Sequence, residues 1–280
     1  MITKLKIDIK KDMQILYSPN IEYHDYGNCK RHLQMLFPYK NNLGKDDKFP
    51  LILFIPGSAW HKQEMYNDIP QYAKLAELGF VVAAMEYRES DISPFPAQVE
   101  DVCNALNFIP GVAETFHIDR NRIFLMGNSS GGHVVMMAAL FSARGMSEKL
   151  PRLSGIILES ASTDLLICSK NPLPSWMQVR PSAVLLGVEQ IEENEELARK
   201  ASCDMYITED IELPPVLLLH SEFDPVVSVE NSRVLYEKLV ANGHEAVYYE
   251  MEGLDAHGGA VFYSDEVLGI VKMFCENSSH

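Results

Sequence analysis

The chain has 280 residues, 47% of them hydrophobic, enough to bury a large α/β core, and 24 basic against 39 acidic side chains leave a formal charge of −15. That charge repels nucleic acid and anionic membrane surfaces, so polyanion binding is disfavoured. The opening MITKLKIDIKKDM is charged throughout and lacks the apolar stretch of a secretory signal. No apolar run reaches the roughly 18 residues a membrane span needs, so a soluble cytoplasmic protein is expected. Five cysteines (Cys29, Cys103, Cys168, Cys203, Cys275) are scattered without metal-ligand spacing, as free buried thiols in a reducing compartment would be.

Along the chain, Lys4 to Ile9 alternates like a half-exposed strand, and Ile15 to Tyr17 and Arg31 to Phe37 extend an antiparallel opening. After the polar turn Lys40 to Lys48, the wholly apolar Leu51 to Ile55 predicts a buried central strand running into the tight loop Pro56-Gly57-Ser58-Ala59-Trp60. Trp60 to Leu78 has helical spacing interrupted at Pro70. Phe80 to Met85 is the next buried strand, followed by Tyr87-Arg88. Phe95 to Ile109 then sets Val99, Val102, Leu106 and Ile109 on one face of a helix opened by Pro96.

Ile123 to Met126 predicts a strand, His133 to Phe141 a helix, and Gly155 to Leu158 another strand. From Ala161 to Glu212 a proline-bearing segment alternates with the acidic helical run Glu189 to Lys200. This stretch is too long for an ordinary connection, so a cap inserted at about residues 165–210, before the next strand, is expected. Pro215 to Leu219 (strand), Val229 to Leu239 (helix), Ala246 to Glu250 (strand) and Phe262 to Cys275 (helix) complete the chain. Buried strands alternating with helices predict one α/β domain over residues 1–280, a mostly parallel sheet with helices on both faces.

The stretch Arg122 to Met137, RIFLMGNSSGGHVVMM, organises the rest. Gly127-Asn128-Ser129-Ser130-Gly131 is a G-x-S-x-G pattern between a short apolar strand and a helix, the setting in which a serine is forced onto a sharp turn with its hydroxyl projecting. A serine hydroxyl needs a base within reach, and the base needs an orienting acid. Asp224 follows a buried strand and His257 sits in the glycine-rich loop after the last one, giving the chain order Ser, Asp, His of α/β-hydrolases. His133, four residues from Ser129 on the same helix, reads as a packed or capping histidine, and His220 as part of the turn around Asp224. Asp164 is the main rival for the acid, while Asp255 is too near His257 in sequence to orient its ring. The backbone N–H of Ser130 is a candidate donor to an oxyanion, with a second from the Pro56 to Trp60 loop.

The segments PGSAW, YRESDISPFPAQVEDV, FHIDRNRIFLMGNSSGGH, LLG with ENEELARKAS, and LPPVLLLHSEFDPVVSVENSRVLYEKL resemble the α/β-hydrolase esterases related to hormone-sensitive lipase. Among these the chain is most similar to the bacterial acetyl and feruloyl esterase-like group, whose substrates are small esters, often acylated sugars. The resemblance implies Ser129 as nucleophile, Asp224 as acid, His257 as base, Ser58, Ala59 and Ser130 as oxyanion N–H donors, and no cofactor or metal. Many relatives read His-Gly-Gly-Gly-Trp where this chain reads Pro56-Gly57-Ser58-Ala59-Trp60. Either the backbone there avoids positive φ, or the oxyanion hole is shaped differently. Trp60 and Trp176, the latter in the expected cap, are candidates to wall the substrate pocket.

These observations together predict a serine carboxylesterase for small esters, working through an acyl-enzyme. The GGH after the elbow and the DPVVSVENSRVLYEKL stretch also resemble prolyl-oligopeptidase-like catalytic domains, which keeps a peptidase or a small-amide hydrolase of the kynurenine-formamidase kind in view. A binding protein that retains the fold without chemistry is a third reading, weakened by the intact Ser129, Asp224 and His257. The oligomeric state, a homodimer included, is open.

Overall fold

The computed structural model describes residues 2–5, 13–41, 43–170 and 179–278. Where the sequence offers uninterrupted apolar runs, the chain builds the middle of one eight-stranded sheet. In chain order its strands are β1 (Gln14–Asp25), β2 (Lys30–Tyr39), β3 (Phe49–Ile55), β4 (Val81–Met85), β5 (Ile118–Asn128), β6 (Gly155–Glu159), β7 (Val216–Ser221) and β8 (Ala246–Met251). In space the order is β1-β2-β4-β3-β5-β6-β7-β8. The β1–β2 and β2–β4 pairings are antiparallel and the rest parallel, as Ile15 to Tyr17, Arg31 to Phe37 and the later apolar runs predicted.

Helices cover both faces. On one side α1 (Ile69–Glu77) and α8 (Asp265–Asn277) pack Tyr72, Leu75, Val267 and Val271 against Ile52 and Phe54 of β3. On the other, α2 (Ala97–Val112), α3 (Ser130–Ala143) and α7 (Glu230–Ala241) cover Leu51, Leu53 and Ile55. Alternate residues of β3 thus serve opposite cores, which is why the strand is apolar throughout rather than alternating. Helix α3 is buried from Ser130 to Phe141, all but its last two residues, so it has no polar face.

Between β6 and β7 the described residues form the short helices α4 (Leu165–Lys170), α5 (Pro181–Leu186) and α6 (Glu195–Lys200), followed by a 3-10 turn at Cys203–Tyr206. Two local expectations change, and a third lies mostly outside the described residues. The helix expected from Trp60 begins only at Ile69, because Pro70 occupies its first turn, where a missing N–H costs nothing, and so starts the helix instead of breaking it. Of the acidic run Glu189 to Lys200 only α6 is helical. The strand expected over Lys4 to Ile9 falls mostly outside the described residues, and Lys4 and Leu5 belong to no strand.

Phe124 of β5 is fully buried beneath the strand end that carries Ser129 and meets Phe80 edge to face. Phe124→Ala is expected to lower the free energy of unfolding by about 3–5 kcal/mol in a urea titration. A loss below about 1 kcal/mol would contradict the packing described.

Candidate active site

Ser129 lies at the junction of β5 and α3 with φ 51° and ψ −125°, a conformation costing about 1–3 kcal/mol for a residue with a side chain. It is fixed from both ends: its N–H donates to the Glu159 carbonyl (2.9 Å), and its own carbonyl accepts from the N–H groups of Ser162 (3.2 Å) and His133 (3.3 Å). The turn can be this tight because of Gly131, where a β-carbon would stand 2.0 Å from the Ile55 carbonyl oxygen. The G-x-S-x-G pattern thus records how closely α3 approaches β3.

The two partners expected from the sequence converge on Ser129. His257 Nε2 is 3.0 Å from Ser129 Oγ, and its Nδ1 is 2.8 Å from Asp224 Oδ2. His257 comes from the loop after β8, where Gly258 and Gly259 take φ 73° and 76° and turn the chain back over the sheet. Asp224 comes from the loop after β7. All three residues therefore stand at the carboxyl ends of parallel strands, where open α/β sheets place their sites.

The Asp224 side chain is buried, and that alone would raise its pKa. Hydrogen bonds from His220 and His257, the His257 charge and the Val227 N–H outweigh burial and hold the carboxyl well below the usual range. Oδ1 accepts the Val226 and Val227 N–H groups at 2.8 and 2.9 Å. His220, fully buried, pairs through Nδ1 with Ser232 Oγ (2.7 Å) and through Nε2 with the Val227 carbonyl (3.0 Å), and lies 3.4 Å from Asp224 Oδ2. It belongs to the acid's turn, as its place in the sequence suggested.

His133 is neutral and packed: Trp60 Nε1–H donates to its Nδ1 (3.1 Å) and its Nε2–H donates to the Ala201 carbonyl (2.8 Å). Burial pushes its pKa down to about 4. Asp164, the rival acid, instead accepts the Leu166 and Ile167 N–H groups at the start of α4 (2.8 and 3.1 Å), while Asp255 is exposed. Burial raises the thiol pKa of Cys103, Cys203 and Cys275, which suits inert core thiols, and that of the half-buried Cys168.

The first loop departs from expectation in two places. Trp60, expected to wall a pocket, is 4% exposed and its indole is turned edge-on to His133, so it packs rather than lines. Trp176 lies outside the described residues. The Ser58 N–H, expected as an oxyanion donor, is already engaged by Ser130 Oγ at 2.9 Å. Ala59 and Trp60 hold φ of 53° and 59°, so the loop keeps left-handed backbone although it has exchanged glycine for side chains. Among the described residues nothing accepts from the Ala59 N–H.

A serine hydroxyl bonded to an imidazole that a buried carboxylate orients can attack a carbonyl carbon and pass its proton to the ring. Fold and site together define an α/β-hydrolase. Within that class the chain belongs to the BD-FAE family, which matches residues 39–239. It is 27% identical over 221 residues to esterase LipC of Mycobacterium tuberculosis, the match covering 75% of this chain and 53% of LipC. The chain thus spans about half the length of the curated relatives it matches.

Among solved structures, a truncated carbohydrate esterase from gut microbiota superposes with a TM-score of 0.78 at 21% identity, covering 95% of this chain and 96% of the other. Esterase B from Lactobacillus rhamnosis HN001 does so with 0.77 at 16% identity, covering 98% and 88%. Both share the fold. No helix among the described residues is long and apolar enough to cross a membrane.

Sequence reasoning passed over Glu159. It ends β6 beside Asn128 and is buried, with Oε1 unpartnered. Burial, then the nearby Asp68 charge, raises its pKa to about 8, and Tyr72 and Tyr263 are its other polar neighbours. A raised carboxyl pKa favours the folded state at pH below the unfolded value of about 4.5, and this contribution is lost as pH climbs through about 8. Glu159→Gln is therefore expected to gain stability relative to the parent by a few kcal/mol between about pH 5 and pH 9 in denaturant titrations. An equal gap at both pH values would contradict a buried, protonated Glu159.

Proposed function

We propose that this protein is a serine carboxylesterase that hydrolyses small esters through a covalent acyl-enzyme. The observation that carries the reading is the continuous chain Ser129–His257–Asp224, with contacts of 3.0 and 2.8 Å. Ser129 Oγ attacks the ester carbonyl while His257 Nε2 takes its proton. The resulting imidazolium is stabilised by the Asp224 carboxylate, which stays ionised because its pKa is held low. The tetrahedral oxyanion is received by the N–H of Ser130, at the positive end of α3, and by that of Ala59. Collapse expels the alcohol, which takes the proton from His257, and water repeats the sequence on the acyl-enzyme. The route needs no cofactor.

Short acyl groups and acylated sugars are the substrates favoured here, a reading supported by the carbohydrate esterase among the structural neighbours and by the family. The segment of about residues 165–210, holding α4 to α6, is taken as a cap that keeps the site to small molecules. A cytoplasmic location fits the scattered cysteines, all five of them free thiols.

Turnover of p-nitrophenyl esters from acetate to decanoate is expected to peak at acetate or butyrate, with an acetylated xylo-oligosaccharide also deacetylated. Ser129→Ala should lower kcat by roughly 10⁴-fold or more with an unchanged thermal midpoint, and Asp224→Asn should lower kcat by roughly 10²–10⁴-fold. Cleavage of an aminoacyl-p-nitroanilide without ester preference would move the protein to the peptidase reading. Retained ester turnover in Ser129→Ala would remove the nucleophile.

A further inference from the structure

Behind the first loop lies a group of polar side chains that neither attack nor shuttle protons. Tyr87, fully buried just after β4, brings its hydroxyl 2.8 Å from Ser58 Oγ and 3.3 Å from Ser130 Oγ. Ser130 Oγ accepts the Ser58 N–H at 2.9 Å. Ser58 Oγ–H donates to the His61 carbonyl at 2.5 Å, which the Gln63 amide also reaches at 2.6 Å. Gln63 is itself oriented, because its Oε1 accepts the Tyr87 N–H at 2.8 Å.

Proton counting fixes the direction of every bond. The Ser58 hydroxyl hydrogen goes to the His61 carbonyl, which can only accept, so the phenol must donate to Ser58 Oγ. With the phenol hydrogen spent, the Ser130 hydroxyl donates to Tyr87 Oη while its own oxygen accepts from the Ser58 N–H. Ser58, Tyr87 and Ser130 close a one-way ring, each member both giving and receiving a bond.

We propose that this ring positions the oxyanion hole, with Tyr87 and the Ser130 side chain as positioning residues that present the Ala59 N–H to the reacting carbonyl. This rests on the acyl-transfer reading of the site. The peptide between Ser58 and Ala59 is planar and trans, so its carbonyl and N–H point opposite ways. The Ser58 carbonyl is held inward by the His61 N–H at 3.0 Å, which turns the Ala59 N–H outward. The preceding peptide is held by the Ser58 N–H on Ser130. Together they sustain two consecutive left-handed residues, Ala59 and Trp60, that the loop would otherwise relax. Ser130 thus serves the hole twice: its backbone N–H is one donor, and its hydroxyl anchors the loop that carries the other.

The test compares Tyr87→Phe, Ser130→Ala and their combination with the parent enzyme on a short-chain p-nitrophenyl ester, measuring kcat, KM and the affinity of a boronic acid transition-state analogue. Each single variant is expected to lose roughly 10- to 100-fold in kcat with KM within about threefold. This is less than the ~10²–10³-fold cost of deleting an oxyanion donor, and analogue affinity should fall in parallel. The double variant should be no worse than about threefold below the poorer single, since both act through one ring.

Tyr87→Phe removes a single oxygen in place, so it decides alone if Ser130→Ala fails to fold. Tyr87→Phe with kcat within threefold of the parent overturns the proposal, as does a kcat loss without weaker analogue binding. A parent enzyme that turns over no ester, or a Ser129→Ala variant that still does, would instead fault the underlying reading.

Discussion

Everything at the site depends on how closely the start of α3 packs on the end of β3. At Gly131 the backbone lies so near the Ile55 carbonyl that a single β-carbon would stand 2.0 Å from that oxygen. Contact of this kind pins the first turn of α3 against the sheet and forces Ser129 into its strained conformation, with the hydroxyl clear of both elements. The cost is small beside the burial of α3 from Ser130 to Phe141, which stabilises the same junction. The same packing sets Ser130 beside the first loop, close enough for its hydroxyl to capture the Ser58 N–H. On the proposed reading, nucleophile and oxyanion donors are therefore consequences of one interface.

Three histidines near this interface show how surroundings divide roles among identical side chains. His133 is sealed between Trp60 and the Ala201 carbonyl and kept neutral by burial. His220 holds the Val227 carbonyl and Ser232, bracing the turn that presents Asp224. Only His257 touches both a carboxylate and the Ser129 hydroxyl, and it remains partly exposed. A base needs access to substrate and water, whereas a structural histidine needs neither, and the burial of the three follows that division.

Much of this could be read in the sequence, for a physical reason. Strands that serve two cores must be apolar at every position, so Leu51 to Ile55, Ile123 to Met126 and Pro215 to Leu219 announced themselves. The spacing of Gly127, Ser129 and Gly131 records a local steric requirement, and Asp224 and His257 could be placed because each follows such a strand. What could not be read depends on contacts between segments distant in the chain. Nothing near Trp60 indicates that its indole will meet His133, 73 residues on. The capture of the Ser58 N–H by Ser130, 72 residues away, is equally silent, and so is the left-handed backbone at Ala59, since no local glycine marks it. Glu159 was passed over because a charged residue ending an apolar strand looks like a surface terminus, whereas here β5 and β7 flank it and Tyr72 and Tyr263 lie near it.

The central claim is that Ser129 is the nucleophile held up by this junction. The most direct measurement is peptide mapping by mass spectrometry after stoichiometric inactivation with diethyl p-nitrophenyl phosphate. The account predicts one diethylphosphoryl group per chain, on Ser129, and loss of activity in proportion to labelling. A label on another side chain that tracks inactivation, or full inactivation with Ser129 unmodified, would contradict it.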